Sequence, residues 1–171
     1  KELDSLADIV SFGVAPASAV FVLLRNFSAY PLCLVDLSLY LPFTAYLIPV
    51  FSGLRLGKFN LDEKQTSSFL GLPTPANALF WISYCYGVRN IAPANDALFY
   101  LTLGFILVLS LLMVSNIPMF SFKIAALKFK GNEKQILLVV LMIAFIALWG
   151  ILGIAAGILA YIVISLVSTW K

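Results

Sequence analysis

Hydrophobic and polar residues occur in blocks along this chain. Long uncharged apolar runs are separated by short stretches that hold nearly all the charges, the pattern of a chain threaded repeatedly through a bilayer. The first run predicts a span from about Leu3 to Leu24, with Asp4 and Asp8 at one end and a polar turn from Arg25 to Pro31 behind it. A second span covers roughly Cys33 to Leu54 and contains Pro42 and Pro49, which membrane helices accommodate as kinks. Arg55 to Thr66 reads as the first charged loop, and a third span follows from near Pro73 to Val88. Arg89 to Asp96 is a short loop, with Asp96 the expected N-cap of a fourth span, Ala97 to Val114. From Ser115 to Gln135 the chain is semi-polar. Phe120, Ile124 and Leu127 share one helical face there, beside Lys123, Lys128 and Lys130, as in an interfacial amphipathic segment.

The last apolar run, Ile136 to Ser168, carries no charge over 33 residues. As one helix it would be about 50 Å long, against a hydrocarbon core of about 30 Å. A hairpin reversing near Gly150 to Gly153 solves the length and returns Lys171 to the side of Lys134. Lys1, Arg55, Lys58, Lys64, Lys123, Lys128, Lys130, Lys134 and Lys171 then share one side, and only Arg25 and Arg89 lie on the other. The positive-inside rule makes the richer side cytoplasmic. Gly153 and Gly157 form a GxxxG spacing that predicts close helix packing. The expected fold is an all-α polytopic transmembrane helix bundle. It forms a single domain over residues 1–171, with about six helices and both ends on the cytoplasmic side.

Composition sharpens this picture. Hydrophobic residues make up 62% of the chain and charged ones 11%, too little polar surface to cover a soluble domain of this size. Histidine is absent, which excludes imidazole triads, histidine metal sites and imidazole proton shuttles within the chain. The net charge of +3 is small, and no basic run is interleaved with aromatics, so no nucleic-acid partner is expected. Cys33 and Cys85 are the only cysteines and read as buried free thiols. No signal peptide is visible.

Asp4 and Asp8 are spaced i, i+4 and so share a helix face, roughly 6 Å apart. Two carboxylates that close repel unless a cation or a proton intervenes. All-oxygen donors suit a hard cation such as Mg²⁺, which joins carboxylates to substrate phosphates. Asp4 also suits a helix start, where the dipole favours an anion. Asp8 is followed by an uncharged run of 16 residues, and an ionisable group in a span is a functional candidate. Ser11 lies on a similar face, and Gly13 and Pro16 should bend the helix just beyond. Arg55, Lys58 and Asn60 end the second span on the same side as the carboxylates. Arg55 has the fork that suits bidentate anion contacts, and Asn60 could add an amide contact. Lys123 sits between aromatics at that face, where headgroup snorkelling is its simplest role.

The stretch LDSLADIVSFGVAPA, Leu3 to Ala17, resembles the second half of the CDP-alcohol phosphatidyltransferase signature, D-x2-D-G-x2-A-R followed by G-x3-D-x3-D. Asp4 and Asp8 match its last two aspartates. SFGVAPA is similar to the bacterial and archaeal phosphatidylserine synthase branch, as are LRLGKFN (Leu54 to Asn60), GLPTPAN (Gly71 to Asn77) and the run from Leu112 to Lys123. The motif glycine and the D-x2-D-G-x2-A-R segment are absent from these residues. The chain is therefore expected to be the C-terminal part of an eight-helix bundle, and the 171 residues alone are expected to be inactive.

The resemblance implies transfer of a phosphatidyl group from CDP-diacylglycerol to L-serine, giving phosphatidylserine and CMP in phospholipid biosynthesis. It implies a divalent metal (Mg²⁺ or Mn²⁺), with Asp4 and Asp8 as ligands and Asp8 also as general base. Arg55, Lys58, Asn60, Ser11 and Lys123 are the substrate-binding candidates. Membrane lipids and a second copy of the chain are the other expected partners, and a prokaryotic cytoplasmic membrane is the expected location. Two alternatives remain at this point: a family member using glycerol 3-phosphate or inositol phosphate, or a non-catalytic transporter or assembly subunit with Asp8 as an ion site.

Overall fold

The computed structural model describes residues 2–27, 39–61, 69–92, 95–119 and 133–169. Helix α1 (Glu2–Ile9) passes through a π turn (Val10–Val14) directly into α2 (Ala15–Arg25). A 3₁₀ segment (Leu41–Tyr46) leads into α3 (Leu47–Leu61), and α4 (Thr74–Val88) and α5 (Asp96–Val114) follow. The chain ends in α6 (Glu133–Trp149) and α7 (Leu152–Thr169). One two-residue antiparallel pair, β1 (Phe69–Leu70) with β2 (Pro118–Met119), is the only sheet among the described residues.

Leu3–Arg25 and Asp96–Val114 are long and apolar enough to cross a membrane, with mean hydropathies of 1.9 and 2.5. Large apolar side chains such as Val22, Leu107, Leu111, Ile143 and Val163 are exposed on the outside of the bundle. Water would penalise such a surface, whereas lipid matches it. The fold is that of an all-α membrane protein.

Helix α4 lies at the centre and packs on α2 and α7, while α3 packs on α5 and on the π turn. Phe80 and Trp81 of α4 are fully buried. Their rings meet edge-on at 5.1 Å between centroids, and Phe105 of α5 meets Phe80 at 5.2 Å. Edge-to-face aromatic contacts of this kind add to plain apolar burial.

The final apolar run folds as a hairpin, as its length required. Helix α6 stops at Trp149 and α7 starts at Leu152. Gly150 between them has φ 59° and donates its N–H to Ile146 O at 2.8 Å. That left-handed conformation costs glycine least. Gly153 and Gly157 face α6 so closely that a Cβ would collide with the Phe145 backbone and with Met142, which confirms the close packing their spacing predicted.

Three boundaries differ from the sequence expectations. Arg55 to Leu61 is the end of α3 and not loop, because hydropathy marks where the membrane ends, whereas these residues still favour a helix. The cap of α5 is Asn95, whose side chain accepts from Leu98 N–H at 3.2 Å, and Asp96 is the first helical residue. Pro42 and Pro49 lie in the opening turns of the 3₁₀ segment and of α3, where a missing N–H costs little. Cys85 is a buried free thiol. Cys33 and the amphipathic stretch around Lys123 lie outside the described residues.

Candidate active site at the carboxylate end

Helix α1 carries Asp4 exposed and Asp8 half-buried. One turn further on, the helix changes register. Ala15 donates its N–H to Val10 O, one residue beyond the α-helical partner, and Pro16 has no N–H to give Phe12. The carbonyls of Ser11 and Phe12 thereby lose their ordinary donors. The expected bend is thus a π turn, a feature frequent at functional sites. Ser11 lies on it, exposed. Gly13 is buried at its centre, where a Cβ would meet Pro49 Cα at 3.1 Å. A side chain there would push α3 back by a few tenths of an ångström.

Helix α3 runs alongside and supplies the remaining polar groups. Asn60 Nδ2 donates to Ser5 Oγ at 3.0 Å, which places Asn60 against the carboxylate-bearing helix. Arg55 turns to another side of α3. It is only 9% exposed, and its Nε is buried without a partner among the described residues. Together with Lys58, Phe59, Leu70, Met113 and Ser115 it lines a small, partly open pocket. Neither Asp4 nor Asp8 lines that pocket. Lys58 Nζ donates to Val114 O at 3.2 Å and to Asn116 Oδ1. It caps the C-terminus of α5, where a cation is favoured. Lys123 lies outside the described residues.

The structure therefore brings Asn60 to the α1 side and Arg55 with Lys58 to a separate pocket against α5. Sequence reasoning passed over Ser5, the partner of Asn60, and Tyr161 of α7. Tyr161 is buried, bonds to Ser165 and lies within electrostatic reach of Arg55. A polar pair at i, i+4 inside an apolar helix was the available signal. The carboxylates of Asp4 and Asp8 are hard oxygen donors of the type Mg²⁺ or Mn²⁺ takes, usually with only one or two from protein and the rest from water and phosphate. No group of three or more His, Cys, Asp or Glu side chains that could hold a metal occurs among the described residues.

The fold and this end of the bundle define an all-α membrane protein with a carboxylate pair at one end of its first helix. No family model matches the chain, and no solved structure matches it. It is 33% identical over 152 residues to the CDP-diacylglycerol–serine O-phosphatidyltransferase of Helicobacter pylori strain J99, covering 85% of this chain and 56% of that protein. The protein of the same name from Bacillus subtilis is 33% identical over 103 residues, covering 59% of this chain and 53% of the relative. That of Methanocaldococcus jannaschii is 36% identical over 89 residues, or 52% and 37%. Over most of its length the chain is similar to these phosphatidylserine synthases. It spans about half the length of the curated relatives it matches.

Proposed function

We propose that the protein transfers a phosphatidyl group from CDP-diacylglycerol to L-serine, releasing CMP. The observation that carries the reading is the carboxylate pair of α1, Asp4 and Asp8, set beside the polar Asn60–Ser5 contact in a chain similar to proteins named for this reaction. In this reading Asp8 accepts the proton of the serine hydroxyl. The hydroxyl oxygen attacks the diacylglycerol-linked phosphorus, the bond to CMP breaks, and CMP leaves with its phosphate. A base in that role needs hydrogen-bond reach of the hydroxyl. Asp4 and Asp8 would hold Mg²⁺ or Mn²⁺, which neutralises pyrophosphate charge when bound. They supply half of a four-carboxylate set whose other half belongs to a D-x2-D-G-x2-A-R segment.

Arg55, with its open Nε, is assigned to the serine carboxylate or a phosphate. Asn60, Ser11, Lys58 and Lys123 are further substrate contacts in the same proposal. The carboxylate end faces the cytoplasm, on the strength of the lysine and arginine distribution, in a prokaryotic cytoplasmic membrane. Homodimer assembly is part of the proposal, and the size of the purified protein in detergent tests it. The reaction itself is tested by following CMP release in membranes holding the full-length protein, with and without serine and Mg²⁺ or Mn²⁺. Release that ignores serine, or persists in excess chelator, defeats the reading.

A further inference from the structure

Two turns of a regular helix take about seven residues, so the outward stripe of one part of a helix predicts that of the next. On α2, Val22 and Ser18 are exposed. Counting back two turns gives Ala15 and Ser11, also exposed. A further two turns in a regular helix would reach Asp8 and Asp4, placing both carboxylates squarely on the lipid-facing stripe. If the π turn absorbs one residue, the count reaches Ala7 and Leu3 instead. Leu3, at 81%, Ala7 and also Asp4 are exposed, whereas Asp8 is half-buried, so the two counts part at Asp8.

The opposite side of the helix agrees. Ser5 meets Asn60, Ile9 meets Gly53, and Gly13 meets Pro49. The contact line with α3 thus runs from α1 into the π turn.

We propose that the turn at Val10–Val14 sets the rotational phase of α1. It stores one surplus residue, worth about 100° of rotation, and so turns Asp8 off the lipid-facing stripe toward α3. The inference rests on the reading of Asp8 given above, but its test does not depend on turnover.

In full-length protein with Cys33→Ser and Cys85→Ser, the pair Ser5→Cys with Asn60→Cys should form a disulfide under mild oxidation in membranes. Deleting Val10 removes a residue from the turn, and the same pair should still form. Deleting Ala7 removes a residue from α1 itself. There the crosslink should move to Asp4→Cys with Asn60→Cys, and Ser5→Cys should lose it. A Val10 deletion that shifts the crosslink to Asp4→Cys overturns the proposal, because the turn then held no surplus residue. A Val10 deletion in which neither pair forms overturns it too, since the argument requires a regular helix to remain. Crosslinks that follow the expected phase in a parent protein without serine-dependent CMP release support the phasing and sink the transferase reading alone.

Discussion

Helix α3 presents two polar regions that differ in how far the fold itself has used their charge. On one side, Asn60 reaches Ser5 beside an exposed Asp4 and a half-buried Asp8. On the other, Lys58 is committed to the end of α5, and the Arg55 guanidinium is buried with its Nε open. The carboxylates are accessible and lack a neighbouring cation among these contacts, so an arriving metal ion or proton would relieve their repulsion. Arg55 is already desolvated, which makes it costly to leave unpaired and rewarding to pair. The first region suits recruitment of an ion and a proton transfer. The second suits discrimination of one anionic group.

The contrast breaks most sharply at Asp8. Asp8→Asn keeps the shape and removes the base, so serine-dependent CMP release by the full-length protein should fall at least about 10²-fold. Near-normal turnover would mean that the carboxylate side is not the reacting side. A smaller effect is expected from Arg55→Leu. Losing a hydrogen bond to a charged group costs about 1.5–3 kcal/mol, so the serine KM should rise about tenfold or more while the protein remains folded. An unchanged KM would assign the pocket to some other anion. Asn60→Ala should cost about 0.5–1.5 kcal/mol, read as a lower thermal midpoint in detergent with a modest loss of rate. Lys58→Met sharpens the comparison from the other side. It should lower stability by less than about 1 kcal/mol and raise the serine KM less than Arg55→Leu does, and an unchanged KM would leave Lys58 only its place at the end of α5.

The spans were legible because a bilayer imposes a length on apolar runs, and the α6–α7 hairpin followed from that length alone. The GxxxG contact was legible for the same kind of reason, since only glycine admits the approach of Phe145 and Met142. The end of α3 was not, because Arg55 to Leu61 leaves the membrane without leaving the helix. Gly13 and Pro16 announced an irregularity but not its type, which depends on where the freed backbone groups find partners. Asp4 and Asp8 stood out as charges in an apolar stretch. The separation of Arg55 from them was hidden while Arg55 to Leu61 read as loop; on a helix, residues five apart such as Arg55 and Asn60 differ in direction by well over a quarter turn. Tyr161 gave only a faint signal, its i, i+4 spacing from Ser165 in a run otherwise apolar or small.

The segments that bring Leu70, Met113 and Ser115 to the Arg55 pocket are tied together by main-chain bonds. β1 pairs with β2, Gly71 donates its N–H to Ile117 O at 2.9 Å, and Leu72 donates to Leu112 O at 3.1 Å. Backbone bonds are indifferent to the side chains that accompany them. These segments can therefore drift in sequence among descendants while the opening over Arg55 keeps its outline. Gly71 is the exception. It sits at φ 71°, and a Cβ there would press on Leu112 O and Met113 O. Selection on the shape of this mouth should fall on one glycine, leaving its neighbours free to adjust what the mouth admits.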